Sequence, residues 1–173
     1  MIDHAIVLKN YFPKKNKITI LHARFGKINF YVDEKHQAAR LCNGSLMYCQ
    51  IIKKQTSYQC EFIDAYFVPF QDGQYDLYFI HDILKICLLF MPDQMSMADV
   101  FDLITGIYQE LDDLQVCHKK IYLLKLFLYL GIFPENKKLY QHIMQDNKLH
   151  THDSDILLQQ ALNYCWNSDG NYS

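Results

Sequence analysis

The spacing of apolar residues changes once along this chain, near residues 69–74, and that change restricts the possible folds. Before Pro69, apolar and β-branched residues alternate in short runs separated by turn residues, the two-residue period of strands. After Gly73 they recur every three to four residues, the period of amphipathic helices. A β half followed by an α half points to an α+β chain rather than alternating β and α units.

Five runs carry the strand period. Ala5–Leu8 is the first. Lys17 to Phe25 is the second, with Ile18 and Ile20 expected on one face and Thr19 and Leu21 on the other. Gly26-Lys27 is the expected tight turn, and Ile28 to Val32 the third strand. Asp33 to Ser45 reads as a polar connection with a short helical turn around Gln37-Ala38-Ala39. Leu46 to Ile52 and Tyr58 to Val68 complete the set, and Pro69 with Gln71-Asp72-Gly73-Gln74 ends it.

Helices follow. The first is Tyr75 to Phe90, stopped by Pro92. The second has Ser96 as its expected cap and Val100, Leu103, Ile104, Ile107 and Leu111 as its core face. The third is Val116 to Leu130, apolar on most sides, with Gly131 at its C′ position and Pro134 beyond. Glu135 to Gln145 and Ile156 to Trp166 are the fourth and fifth, the last capped by Asp153 or Ser154. The expected organisation is a five-stranded barrel of the OB-fold type over residues 1–70, then an α-helical bundle domain over residues 71–173.

Charge is segregated along the chain. Residues 1–60 hold ten lysines and arginines against three acids, whereas residues 61–116 hold eleven acids against Lys85 alone. Such asymmetry implies separate surfaces with separate partners. Six cysteines, Cys42, Cys49, Cys60, Cys87, Cys117 and Cys165, are widely spread with no CxxC pair, so no zinc ribbon is expected. The N-terminus carries no signal-peptide pattern, which leads us to expect reduced thiols and a cytoplasmic protein. The most apolar run, Ile121 to Phe133, is too short to span a bilayer.

In an OB-fold the loops joining strands 1–2 and 4–5 flank the nucleic-acid groove. Here those loops are Tyr11-Phe12-Pro13-Lys14-Lys15-Asn16-Lys17 and Lys53-Lys54-Gln55-Thr56-Ser57-Tyr58. Lysines neutralise phosphate, and aromatic faces stack on bases without choosing a sequence. The candidate DNA contacts are Tyr11, Phe12, Lys14, Lys15, Lys17, Lys53, Lys54 and Tyr58. Arg24 and Lys27 join them beside the turn between strands 2 and 3, and Lys35 and Arg40 in the connection after strand 3. Tyr31 could stack on bases too if exposed, but a barrel interior also needs large residues, and Tyr31 is expected there, with Tyr58 suited to that place as well.

Other motifs point to no chemistry. His150-Thr151-His152-Asp153-Ser154-Asp155 reads as a solvated loop leading into a helix cap, not a metal site. Cys117 and His118 are helix neighbours whose side chains diverge, so they form no nucleophile–base pair. The sequence holds no phosphate-cradling glycine loop and no nucleophile elbow, so no enzyme, metal or cofactor is expected.

Four stretches together resemble the RecO family of bacterial recombination mediators. These are Ile6-Val7-Leu8-Lys9; Ile18-Thr19-Ile20-Leu21 with Phe25-Gly26-Lys27-Ile28; Tyr78 to Pro92, ending Leu88-Leu89-Phe90-Met91-Pro92; and Tyr122 to Pro134, with its leucine-glycine-isoleucine-phenylalanine-proline ending. The resemblance implies an OB-fold and a helical domain that bind single- and double-stranded DNA, anneal strands without nucleotide hydrolysis and help load recombinase. It also implies a single-stranded-DNA-binding protein and a RecR-like protein as partners, and a nucleoid-associated location. Lys119, Lys120 and Lys125 would receive the acidic tail of the former.

The chain departs from the family pattern. The stretch after strand 3, Asp33-Glu34-Lys35-His36-Gln37-Ala38-Ala39-Arg40, is less cationic than in the family, and the zinc-finger cysteines are absent. An alternative follows: an OB-fold protein–protein adaptor with a decayed DNA surface, engaging its partner through the acidic residues 61–116.

Overall fold

The computed structural model describes residues 2–32, 39–55, 57–69, 75–132, 155–156 and 158–159. Its five strands are β1 (Ile2–Asn10), β2 (Lys17–His22), β3 (Gly26–Tyr31), β4 (Leu46–Lys53) and β5 (Tyr58–Phe67). They form one antiparallel sheet in the order β3-β2-β1-β4-β5. The outer strands β3 and β5 approach each other, so the sheet curls into a nearly closed barrel. Helices α1 (Leu77–Phe90), α2 (Ala98–Gln109) and α3 (Val116–Tyr129) follow, giving a β-then-α order.

The inward residues are the alternate ones in each strand: Ala5 and Val7, Ile18 and Ile20, Ile28 and Phe30, Met47 and Cys49. In β3 the alternation is clean, with Ile28 and Phe30 buried and Asn29 and Tyr31 exposed. In β2 it is not. Thr19 and Leu21, on the opposite face from Ile18 and Ile20, are also buried. The reason is α1, which packs on β1, so the outer face of the sheet is covered there too. Ile6, paired with Leu21, is fully buried on that same outer face.

Two local signals fall elsewhere than expected. The turn between β2 and β3 is Ala23–Phe25, and β2 stops at His22 rather than Phe25. His22 Nδ1 accepts from the backbone N–H groups of Arg24 and Phe25 at 3.1 and 3.3 Å, which folds the chain back early. Gly26 then enters β3 with φ +67°, a conformation that favours glycine. Helix α1 begins at Leu77, not Tyr75, because the Asp76 carboxylate caps it, accepting from Tyr78 and Phe79 N–H at 3.1 and 3.2 Å.

The end of α3 follows the sequence signal. Gly131 has φ +70°, its N–H donates to Leu128 O, and Ile132 N–H donates to Phe127 O. That pair of bonds is a Schellman motif, which satisfies carbonyls the helix would otherwise leave open. The fourth expected helix lies outside the described residues. Of the fifth, Asp155, Ile156, Leu158 and Gln159 are described, and they are helical.

The chain divides into two compact units, Met1–Phe101 and Asp102–Ser173, with the division falling inside α2. The barrel and α1 share the first. No helix among the described residues is long and apolar enough to cross a membrane.

Candidate nucleic-acid interface

The register decides where the two lysine tips lie. β1 and β4 run antiparallel with Ile2 opposite Gln50 and Ile6 opposite Leu46. The β1–β2 turn therefore leaves one end of the barrel and the β4–β5 turn leaves the other. At this second end Tyr58 lies against Phe25 of the β2–β3 turn, with ring centroids 5.7 Å apart.

At the first end the outward residues of three strands converge. Lys9 is paired with Thr19, Thr19 with Asn29, and Lys17 with Tyr31. Paired residues share a face, so these side chains form one outer strip. Tyr31 is 71% exposed, contrary to the interior place expected of it, because strand alternation turns Ile28 and Phe30 inward and leaves Tyr31 out. The Tyr11 ring has two ammonium groups near it, Lys9 Nζ at 5.1 Å and Lys17 Nζ at 5.3 Å from its centroid. Lys14 and Lys15 are exposed in the adjoining turn. Neither β2 nor β3 contains an acidic residue. Two tyrosines beside lysines can stack bases and neutralise phosphate together. Lys9 and Asn29 were not among the sequence candidates, and Tyr31 was weighed as a stacking ring but expected inside. The period-two alternation of β3 was the signal that would have found Tyr31.

The remaining candidates divide. Phe12 packs against the barrel core, so its ring is not an open stacking surface. Lys27 is removed from the interface. It is largely buried, donates from Nζ to Leu88 O at 3.0 Å and pairs with Asp93 at 3.1 Å. The segment after α1 continues the tie, since Gln94 N–H donates to Lys27 O. Thus α1 and residues 93–94 cover the far half of the β2–β3 face, between the two tips. Arg24 is exposed, with Nε 3.3 Å from Asp3 Oδ2. Lys53 and Lys54 are exposed at the second end, where Lys54 N–H donates to Ser57 O and closes the turn. Tyr58 is half-buried on the barrel core, the alternative place open to it. Arg40 is exposed, and Lys35 lies outside the described residues.

A second aromatic group lies on the outer face of β1, β4 and β5. His4, Tyr48 and Tyr66 lie side by side, with centroids 4.8 Å apart for His4–Tyr48 and 4.5 Å for Tyr48–Tyr66. His4 Nδ1 is 3.0 Å from the Tyr66 hydroxyl. Tyr48 is paired with exposed Asp64, so this patch is not cationic.

In the second unit, the lysines expected to hold an acidic tail are engaged. Lys120 pairs with Asp155 at 2.8 Å, and Lys125 Nζ lies 5.7 Å from the Tyr122 ring centroid. Lys119 is half-buried on α3. A cavity of about 210 Å³ is lined by Glu110, His118, Ile121 and Tyr122. The Tyr122 hydroxyl donates to Glu110 at 2.6 Å. Burial, aided by that carboxylate, pushes the phenol up to about 12. A carboxylate in the lining disfavours an acidic peptide at this place. Among the described residues no cluster of three or more metal-ligating side chains occurs. No protein-family model matches the chain, and no curated protein matches it.

Proposed function

We propose that this protein is a RecO-like recombination mediator that binds single-stranded DNA on an OB-fold, promotes strand annealing and helps load recombinase, with no catalytic step of its own. The observation carrying the reading is the strip at the first barrel end, where exposed Tyr31 and Lys17, on strands β3 and β2 that hold no acid, lie beside Lys9 of β1. Phosphates meet the lysines of β1, β2 and the β1–β2 turn, and bases stack on Tyr31. The sheet order and the basic N-terminal third support an OB-fold nucleic-acid site. Double-stranded DNA, a single-stranded-DNA-binding protein and a RecR-like protein are partners in this reading, at the nucleoid.

Fluorescence anisotropy with a labelled single-stranded oligonucleotide tests it. Tyr31→Ala combined with Lys17→Glu should weaken binding at low salt by tenfold or more, the scale of one lost stacking contact at about 1–3 kcal/mol. Lys53→Glu with Lys54→Glu should weaken it less, because that tip lies at the other end of the barrel. Equal affinity for the wild type and the Tyr31/Lys17 variant would remove the proposal.

The adaptor reading has its own support. Helix α1 covers half of the face between the tips, and the His4, Tyr48 and Tyr66 patch offers aromatic surface beside Asp64. A flat anisotropy response at both low and moderate salt favours it.

A further inference from the structure

The cavity of about 210 Å³ in the second unit carries a negative charge that no cation of its lining offsets. Three of its four lining residues come from one face of α3, because Ile121 and Tyr122 stand three and four positions after His118. The fourth, Glu110, directly follows α2 and opens the 3-10 turn Leu111–Asp113. The Tyr122 hydroxyl donates to Glu110 Oε2 at 2.6 Å. With its phenol pushed up to about 12, Tyr122 stays a neutral donor at ordinary pH. That bond orients the carboxylate and leaves Oε1 available to a ligand.

Among the described residues no cation pairs with Glu110. Lys120 pairs with Asp155, and Lys125 Nζ lies 5.7 Å from the Tyr122 ring centroid. The turn after Glu110 adds exposed Asp112 and Asp113, and residues 98–118 contain no lysine or arginine. The potential around the cavity is therefore negative, and the complementary ligand is a cation. His118, half-buried on the same wall, has no side-chain partner among the described residues. A neutral imidazole offers one acceptor nitrogen, so the wall presents two acceptors above an apolar Ile121.

We propose that this cavity is a socket for the guanidinium of an arginine carried by a partner protein. Guanidinium is planar, donates through five N–H groups and is more weakly hydrated than an ammonium, so it sheds water more readily in a partly apolar socket. One N–H donates to Glu110 Oε1, a second to the open nitrogen of His118, and the flat face rests on Ile121. Small-molecule sites are usually larger, roughly 300–1,000 Å³, and a cavity below that range suits a single side chain. Free arginine would bring its own α-carboxylate toward the turn of Asp112 and Asp113, whereas an arginine within a chain has none.

The test is an NMR titration of the full chain with the blocked peptide acetyl-Gly-Arg-Gly-amide, followed on carbon-13-labelled histidine and tyrosine rings. Saturable shifts of the His118 and Tyr122 rings are expected. Citrulline in place of arginine keeps the shape and removes the charge, and lysine keeps the charge and removes the plane. Both peptides, and free arginine, should bind at least tenfold more weakly. Glu110→Gln should weaken binding of the arginine peptide by tenfold or more. Absence of shifts at His118 and Tyr122 overturns the proposal, as does equal affinity for the citrulline peptide. Equal affinity for the lysine peptide overturns the choice of guanidinium, and equal affinity for free arginine overturns a partner protein as its source. The comparison of ligands on the wild type decides even if the Glu110 variant fails to fold.

Discussion

At Gly26 two demands coincide: a positive φ, and a backbone approach so close that a Cβ would collide with the Met95 carbonyl. Gly26→Ala should therefore destabilise by about 3 kcal/mol or more, read as a lower urea midpoint, because neither the strain nor the clash can relax cheaply. Lys27, its neighbour, is a structural cation. Lys27→Met keeps the stem and removes the donor to Leu88 O, which should cost about 1–2 kcal/mol. Its Asp93 partner is mostly exposed and adds little. Cys49 gives a pH signature. Its thiol is depressed to about 6 from an ordinary value near 9. The native state thus binds fewer protons than the unfolded chain between those values, so stability rises with pH across that window. The contribution is complete above 9 and disappears as pH falls through 6. The difference in stability between wild type and Cys49→Ser should grow from pH 6 to 9, and a flat difference would remove the assignment. Cys87 behaves oppositely: burial pushes it up to about 12, so it stays a neutral core thiol.

Among the elements, α1 shows how one side chain fixes a helix start. Asp76 satisfies two open N–H groups, and Asp76→Ala should cost about 1 kcal/mol by thermal or urea unfolding, with no change in the far-ultraviolet spectrum at low temperature. Its position three residues before Phe79 was readable in the sequence. The Tyr75 start expected from apolar spacing was not correct, because periodicity marks a face and not an end. The end of α3 was legible for the converse reason: a glycine followed closely by proline is a local stop signal, and the Schellman bonds at Gly131 and Ile132 use it. β3 and β2 mark the limit of strand patterns. Alternation in β3 places Tyr31 outside, but β2 has buried residues on both faces, beside the place where α1 packs on neighbouring β1. No pattern within β2 announces that cover.

For the molecule as a whole, the charge division gains meaning from the sheet register. Lys9, Lys14, Lys15 and Lys17 gather at one end of the barrel, and Lys53 and Lys54 at the other. If the first group holds single-stranded DNA, each phosphate contact contributes about −0.7 to the slope of log affinity against log salt. Replacing those four lysines by glutamine should move the slope toward zero by roughly 3, and replacing Lys53 and Lys54 should move it by much less. Equal changes for the two groups would mean that the ends act as one surface, despite α1 lying between them.

The order of strands before helices, the inward residues of β3, the stop at Gly131 and the excess of lysine in the first sixty residues were all determined by sequence alone, since each depends on local spacing or composition. Tertiary structure decided that Lys27 is structural, that Phe12 faces the core, and that the lysine tips stand at opposite ends. Each of these depends on which strand pairs with which and on what α1 covers. Such contacts join residues far apart in the chain, and no short window of sequence encodes them.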